Sequence, residues 1–220
     1  MAYDDEVLAT GPVAFWLPEA AAVVDRVGGR DASYVGAPTL SPGLTGAGMS
    51  LNCGGTVFAE RAHEAALKPA VGTIMAWVRP ATVGNHWPTG ADPSGENRGD
   101  FSFRLRDDGA AGAYFQNPSS TPRTLLVTAP SYYAAGQTIC IVVTFDGTGF
   151  KVYLDGHEIG VETAHTPGLA DNEAAWALGV VRHPPPDETI FNGEIDRVAI
   201  WDRVLSRNDI YLVSLLEPPR

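Results

Sequence analysis

Residues 139–156 read ICIVVTFDGTGFKVYLDG, and this stretch limits the fold more than any other. Two apolar runs, residues 139–145 and 150–154, are separated by Asp146-Gly147-Thr148-Gly149. Asp-Gly and Thr-Gly supply the positive-φ positions that a short hairpin loop needs. In the first run Ile139, Ile141, Val143 and Phe145 share one face, while Cys140 and Val142 keep the other face apolar. A strand apolar on both faces belongs inside a layered structure and not at its edge. The second run alternates, with Phe150, Val152 and Leu154 opposed to Lys151, Tyr153 and Asp155. That is the half-exposed pattern. A further turn at Asp155-Gly156 leads to a third strand through Ile159 and Val161, which makes a β-meander.

The rest of the chain repeats this grammar. Strands are expected at residues 13–17, 33–35, 49–53, 56–60, 73–79, 100–106, 113–116, 124–128, 174–180 and 189–201, with glycine and proline punctuating the intervals. One helical turn is expected at 62–67. A capping-box start at Ser206 to Asp209 precedes the apolar run 210–216, which predicts a closing helix. Residues 80–99 form the longest irregular segment, and long loops of this kind often carry function. No repeat or linker divides the 220 residues. The expectation is a flexible, acidic lead-in over residues 1–10 and one all-β domain over 11–220.

The net charge is −11 and no basic run occurs. Phosphate neutralisation by Lys and Arg is what nucleic-acid binding requires, so nucleic acid is an unexpected partner. Anionic membrane surfaces are disfavoured for the same reason. No run approaches about 18 apolar residues, which argues against membrane insertion. Met1 is followed by AYDDEVLATG, without the basic and apolar regions of a signal peptide, so synthesis and folding in the cytoplasm are expected. Cys53 and Cys140 each fall in a predicted strand and read as buried free thiols, with a disulfide as the alternative.

Four stretches then fit one family in order. An apolar strand at 13–17 leads to Asp25 and a glycine-rich turn. TIMAWVRP at 73–80, VVTFDGTGFKVYLDG at 142–156 and FNGEIDRVAIWDRVLS at 191–206 complete the set. Together they resemble the laminin-G-like, concanavalin-A-like jelly-roll lectin/glucanase superfamily over nearly the whole chain. The resemblance implies an antiparallel jelly-roll β-sandwich with a short C-terminal helix. It also implies a structural calcium held by Asp25 and Asp196, with glycine carbonyls completing an oxygen site. An arginine salt bridge to Asp196 is the alternative. Gln137-Thr138 replaces the Trp-His that often opens the family's central strand.

A retaining glucanase on this fold would carry two carboxylates about 5 Å apart on one strand. Glu194-Ile195-Asp196 starts such a string, but no second glutamate comes after it, so no catalytic residue is assigned. Saccharide sites use aromatic surface with a few converging polar groups. His86 and Trp87, with Asn97 and Arg98, offer these within the long loop, and Tyr114 adds a further aromatic. Trp87 could equally fold back to anchor its loop. Trp16, Trp77, Trp176 and Trp201 lie in strands and read as core. Fold alone does not settle function. The expectation is a non-catalytic, glycan-binding module, plausible as a phage tail or other virion protein that touches the host envelope. The alternatives are a virion assembly or decoration protein without glycan binding and, third, a glycoside hydrolase. The expected partners are a glycan or host surface, virion proteins and further copies of the chain. The expected location is the virion, otherwise the extracellular space after lysis.

Overall fold

The computed structural model describes residues 3–91, 101–115, 124–127, 130–162, 174–181 and 189–215. Among these, two antiparallel sheets pack face to face as a jelly-roll β-sandwich. The larger sheet runs, in spatial order, β14 (His157–Glu162), β13 (Phe150–Leu154), β12 (Ile139–Phe145), β7 (Gly72–Pro80), β18 (Gly193–Trp201), β1 (Ala14–Pro18) and β2 (Val23–Asp25). β5 (Met49–Cys53) pairs with the first half of β18, and β4 (Thr39–Pro42) pairs with β5. The smaller sheet runs β11 (Thr124–Val127), β10 (Ala111–Phe115), β9 (Phe101–Leu105), β8 (Thr89–Ala91), β15 (Trp176–Leu178), β6 (Phe58–Arg61) and β3 (Ser33–Val35). A short ribbon joins β16 (Val180–Val181) to β17 (Thr189–Ile190).

The meander forms with the expected register, Phe145 facing Phe150 and Ile141 facing Leu154. Its turns work as the residue types require. Asp146 accepts from the Thr148 amide at 2.9 Å, and Gly147 sits at φ 83°. The inner sides of both sheets make one core in which aromatic rings interlock. Trp176 lies against Trp16 on one side and Phe101 on the other, and Phe115 reaches Phe145 and Phe150. Trp16, Trp77, Trp176 and Trp201 are all fully buried, as their strand positions imply.

The other face of the larger sheet is apolar because two helices cover it. α2 (Arg207–Val213) starts at the Ser206/Asp209 capping box. α1 (Tyr3–Ala9) replaces the flexible lead-in expected over residues 1–10. Tyr3 and Val7, one turn apart, pack with Ile210 and Val213 onto Phe15, Met75, Trp77, Val142 and Trp201. The three acidic residues that suggested a loose tail, Asp4, Asp5 and Glu6, occupy the helix's first turn, where the backbone dipole favours negative charge. Cys53 lies in the inter-sheet core and Cys140 under the helices, so both are free, and burial pushes both thiol pKa values up.

Two further differences bear on the chemistry of the molecule. β8 lies inside the segment read as irregular, with Pro80 still part of β7. β18 carries a bulge, so that Ile195 faces Val78 and Val198 faces Ala76 while Asp196 and Arg197 together oppose Trp77. Both residues therefore turn away from the inter-sheet core, towards α1. Strict alternation placed Asp196 on the opposite side.

Candidate functional site

The outer face of the smaller sheet is where the exposed aromatic candidates meet. In β9 the core takes Phe101, Phe103 and Leu105, which sends Arg104 outward. In β10 the core takes Ala111, Ala113 and Phe115, which sends Tyr114 outward. The register sets Tyr114 against Ser102 and Arg104 against Gly112, so Arg104 and Tyr114 are diagonal neighbours with a glycine leaving space between them. Trp87 arrives from the adjoining segment. The His86 amide donates to Leu105 O at 2.8 Å and Leu105 N donates back at 2.9 Å, which fixes Trp87 beside Arg104. Its indole meets the Tyr114 ring edge-on, with centroids 6.1 Å apart at 83°. The Arg104 Cζ lies 4.9 Å from the Trp87 ring centroid. Trp87, Arg104 and Tyr114 are all partly exposed.

Gly90, in β8, shows how closely these strands must approach. A Cβ there would stand 2.2 Å from Phe101 O, so only glycine fits. His86, by contrast, is a loop anchor. It is 8% exposed, packs its ring edge-on against Phe191 at 5.6 Å, and places Nε2 3.0 Å from Thr82 O. Burial lowers its pKa, with the Thr82 carbonyl pulling the other way. Asn97 and Arg98 lie outside the described residues. Of the five binding candidates read from the sequence, Trp87 and Tyr114 come together. Arg104 joins them without having been singled out. Its parity within the Phe101–Leu105 strand was the available signal.

Asp25 and Asp196 do not share a site. The Asp25 carboxylate closes its own turn, accepting from the backbone N–H groups of Phe15 (3.0 Å), Val27 (3.1 Å), Gly28 (2.9 Å) and Arg30 (3.1 Å). Asp196 is fully buried. One of its oxygens accepts from Arg197 and from Thr45 N at 3.2 Å, while Oδ1 is left without a hydrogen-bond partner. Burial raises the Asp196 pKa, and the neighbouring Arg197 charge works against that shift. Arg197 in turn pairs with Asp4 of α1, so a guanidinium stands where a cation was expected. These donor sets do not fit a calcium ion shared by Asp25 and Asp196. Among the described residues, no three His, Cys, Asp or Glu side chains are grouped to hold a metal.

Glu194 is also committed, to the Arg79 guanidinium and to Ser50 Oγ at 2.8 Å. Asp196, on the same outer side of β18, is committed in the same way to Arg197.

A family model described as the concanavalin A-like lectin/glucanases superfamily, Laminin_G_3, matches residues 55–211. The chain belongs to this superfamily. Proteins of known structure share the fold at low identity. Domain 4 of AbnA, a GH43 extracellular arabinanase from Geobacillus stearothermophilus, solved with arabinotriose, aligns at TM-score 0.71 and 17% identity, over 93% of this chain and 98% of that one. The binding domain of Paraclostridial Mosquitocidal Protein 1 aligns at TM-score 0.75 and 12% identity, over 94% and 52%. The ligand-binding domain of botulinum neurotoxin serotype D, solved with N-acetylneuraminic acid, aligns at TM-score 0.65 and 13% identity, over 95% and 52%. A search of curated proteins by sequence gives no match.

Elsewhere on this concanavalin A-like sandwich, a cavity of about 460 Å³ opens beside the hairpin of β12 and β13. Thr144, Lys151, Tyr153, Glu158, Val204 and Arg207 line it. Lys151 and Glu158 close on each other at 3.2 Å and Tyr153 is 6% exposed, so this cavity presents no open aromatic face.

Proposed function

We propose that this chain is a non-catalytic glycan-recognition module that binds sugar at the Trp87–Tyr114 surface. The observation that carries the reading is the Trp87 indole, partly exposed on an outer sheet face and braced by Tyr114 and Arg104. Bracing matters because an aromatic platform held in one orientation loses little entropy when a pyranose stacks on it. The absence of catalysis in this reading rests on Glu194 and Asp196, each tied to an arginine and not to each other. The saccharides in two of the solved neighbours support the ligand class.

In its finer form the proposal makes the domain the host-contacting part of a virion, where several copies would multiply a weak single-site affinity. Light scattering of the purified chain and immunodetection on intact particles test that part.

The central test is glycan-array binding followed by calorimetry on wild type and Trp87→Ala, with circular dichroism as the fold control. Loss of at least tenfold in affinity with an unchanged spectrum is expected. Undiminished binding by Trp87→Ala, or a wild type that binds no glycan, overturns the proposal.

A further inference from the structure

Arginine is the chain's main cation, and in the described residues it is almost always matched. Arg26 pairs with Glu19, Arg30 and Arg61 with Glu64, and Arg79 with Glu194. Arg106 pairs with Asp108, Arg197 with Asp4 and Asp196, and Arg203 with Asp209. With 26 carboxylates to 15 basic side chains, such pairing is easy to arrange. Arg104 departs from it. No carboxylate of the described residues lies within ion-pair distance of its guanidinium, and its Nε is shut off from solvent without a hydrogen-bond acceptor. Among the described residues its guanidinium lies over the face of Trp87.

Leaving a partly buried guanidinium without a counter-ion is costly, because desolvation is not offset by a fixed opposite charge. Burial lowers the pKa of Arg104, and Arg106 beside it acts in the same direction, while Asp107 and Asp108 oppose. Asp108 is spent on Arg106 at 3.2 Å and on the Ala110 amide at 3.1 Å. The partly exposed guanidinium sits on the same surface as the aromatic pair. A guanidinium presents a planar fork that matches a carboxylate or a sulfate ester.

Building on the glycan reading of this surface, we infer that the site selects acidic saccharides, with Arg104 as the group that receives the sugar's anion while Trp87 takes its ring. An anionic ligand completes a charge pairing that the described residues leave open. The chain's overall net charge of −11 repels such ligands at long range, which makes a local, desolvated cation the feature that admits them.

Calorimetry separates the possibilities. One arm titrates a uronic-acid oligosaccharide and its carboxyl-reduced counterpart, and the other a sulfated oligosaccharide and its desulfated counterpart. The proteins are wild type, Arg104→Gln, Trp87→Ala and Arg207→Gln. Arg207 is the control for net charge, since it too lacks an ion-pair partner among the described residues but lies exposed at the cavity on the other sheet. Wild type is expected to prefer at least one acidic ligand over its neutral counterpart by tenfold or more, and the arm that shows it names the anion. Arg104→Gln is expected to collapse that ratio to within about twofold, whereas Arg207→Gln keeps it. Removing a charge that has no ion-pair partner among the described residues also leads us to expect that Arg104→Gln melts no lower than wild type. Equal affinity of wild type for both members of each pair, or an unaltered ratio in Arg104→Gln, overturns the inference while Trp87→Ala still reports on the site. Full binding by Trp87→Ala, or no binding by wild type, overturns the underlying glycan reading as well.

Discussion

Tyr3 offers the sharpest test of how this sandwich is closed on its outer side. The residue lies in the first turn of α1, is 7% exposed, and belongs to the cluster that also contains Trp77, Cys140, Val142 and Val213. Its hydroxyl accepts from Trp77 Nε1 at 2.6 Å and donates to the Val213 carbonyl of α2. Burial is the main cause of its raised pKa, so the phenol stays neutral and keeps its proton for Val213. Tyr3→Phe keeps the ring but strands a buried indole N–H and a buried carbonyl, which costs about 1–3 kcal/mol. Tyr3→Ala adds the empty space of an aromatic ring, and such truncations cost about 3–5 kcal/mol. At roughly 2–4 °C per kcal/mol for a chain of this size, Tyr3→Phe should lower the melting temperature by about 2–12 °C and Tyr3→Ala by more. Urea titration monitored by tryptophan fluorescence gives both free energies. If both variants stay within about 0.5 kcal/mol of wild type, α1 is a peripheral appendage and its role as a clamp on the larger sheet is wrong.

The same geometry sets three further outcomes. Gly90→Ala should cost several kcal/mol, because the new Cβ would overlap Phe101 O, and it should weaken glycan binding by disturbing the strand next to Trp87; thermal melts and calorimetry read both effects, and a neutral substitution would deny the close approach. Asp25→Ala should destabilise the fold by about 3 kcal/mol or more through four orphaned amide donors, whereas adding a chelator to wild type should leave the melting temperature unchanged; a chelator-sensitive melt would show that a metal holds this turn. His86 has a folded-state pKa below its ordinary value, so the unfolded chain binds the proton more readily. Stability should therefore fall as pH drops below about 6.5, the usual imidazole value, and this slope should flatten in His86→Gln; parallel slopes in the two proteins would assign the effect elsewhere.

What could be read from the residues divides along one physical line. Local signals gave the meander, the closing helix and the buried tryptophans, because turn chemistry, a capping box and strict alternation depend on neighbours in sequence. The features that were missed depend on partners far away in the chain. α1 is seven residues long and too short to stand alone, so the sheet face under it stabilises it, and its acidic first turn hides a Tyr3/Val7 pair that matters only once Trp77 is present. β8 is Thr-Gly-Ala, a strand with little intrinsic preference that forms because β9 and β15 flank it. The bulge in β18 is decisive for chemistry. One extra residue reverses the parity of Asp196 relative to Val198 and leaves it paired with Arg197. The site obeys the same rule. Trp87 and Tyr114 were visible as exposed aromatics, whereas Arg104 gains its meaning only from the register that sets it beside them and from having no carboxylate partner among the described residues. In a protein so rich in acid groups, the absence of a counter-ion at one partly buried arginine is the more informative fact, because every other partly buried arginine among the described residues has one.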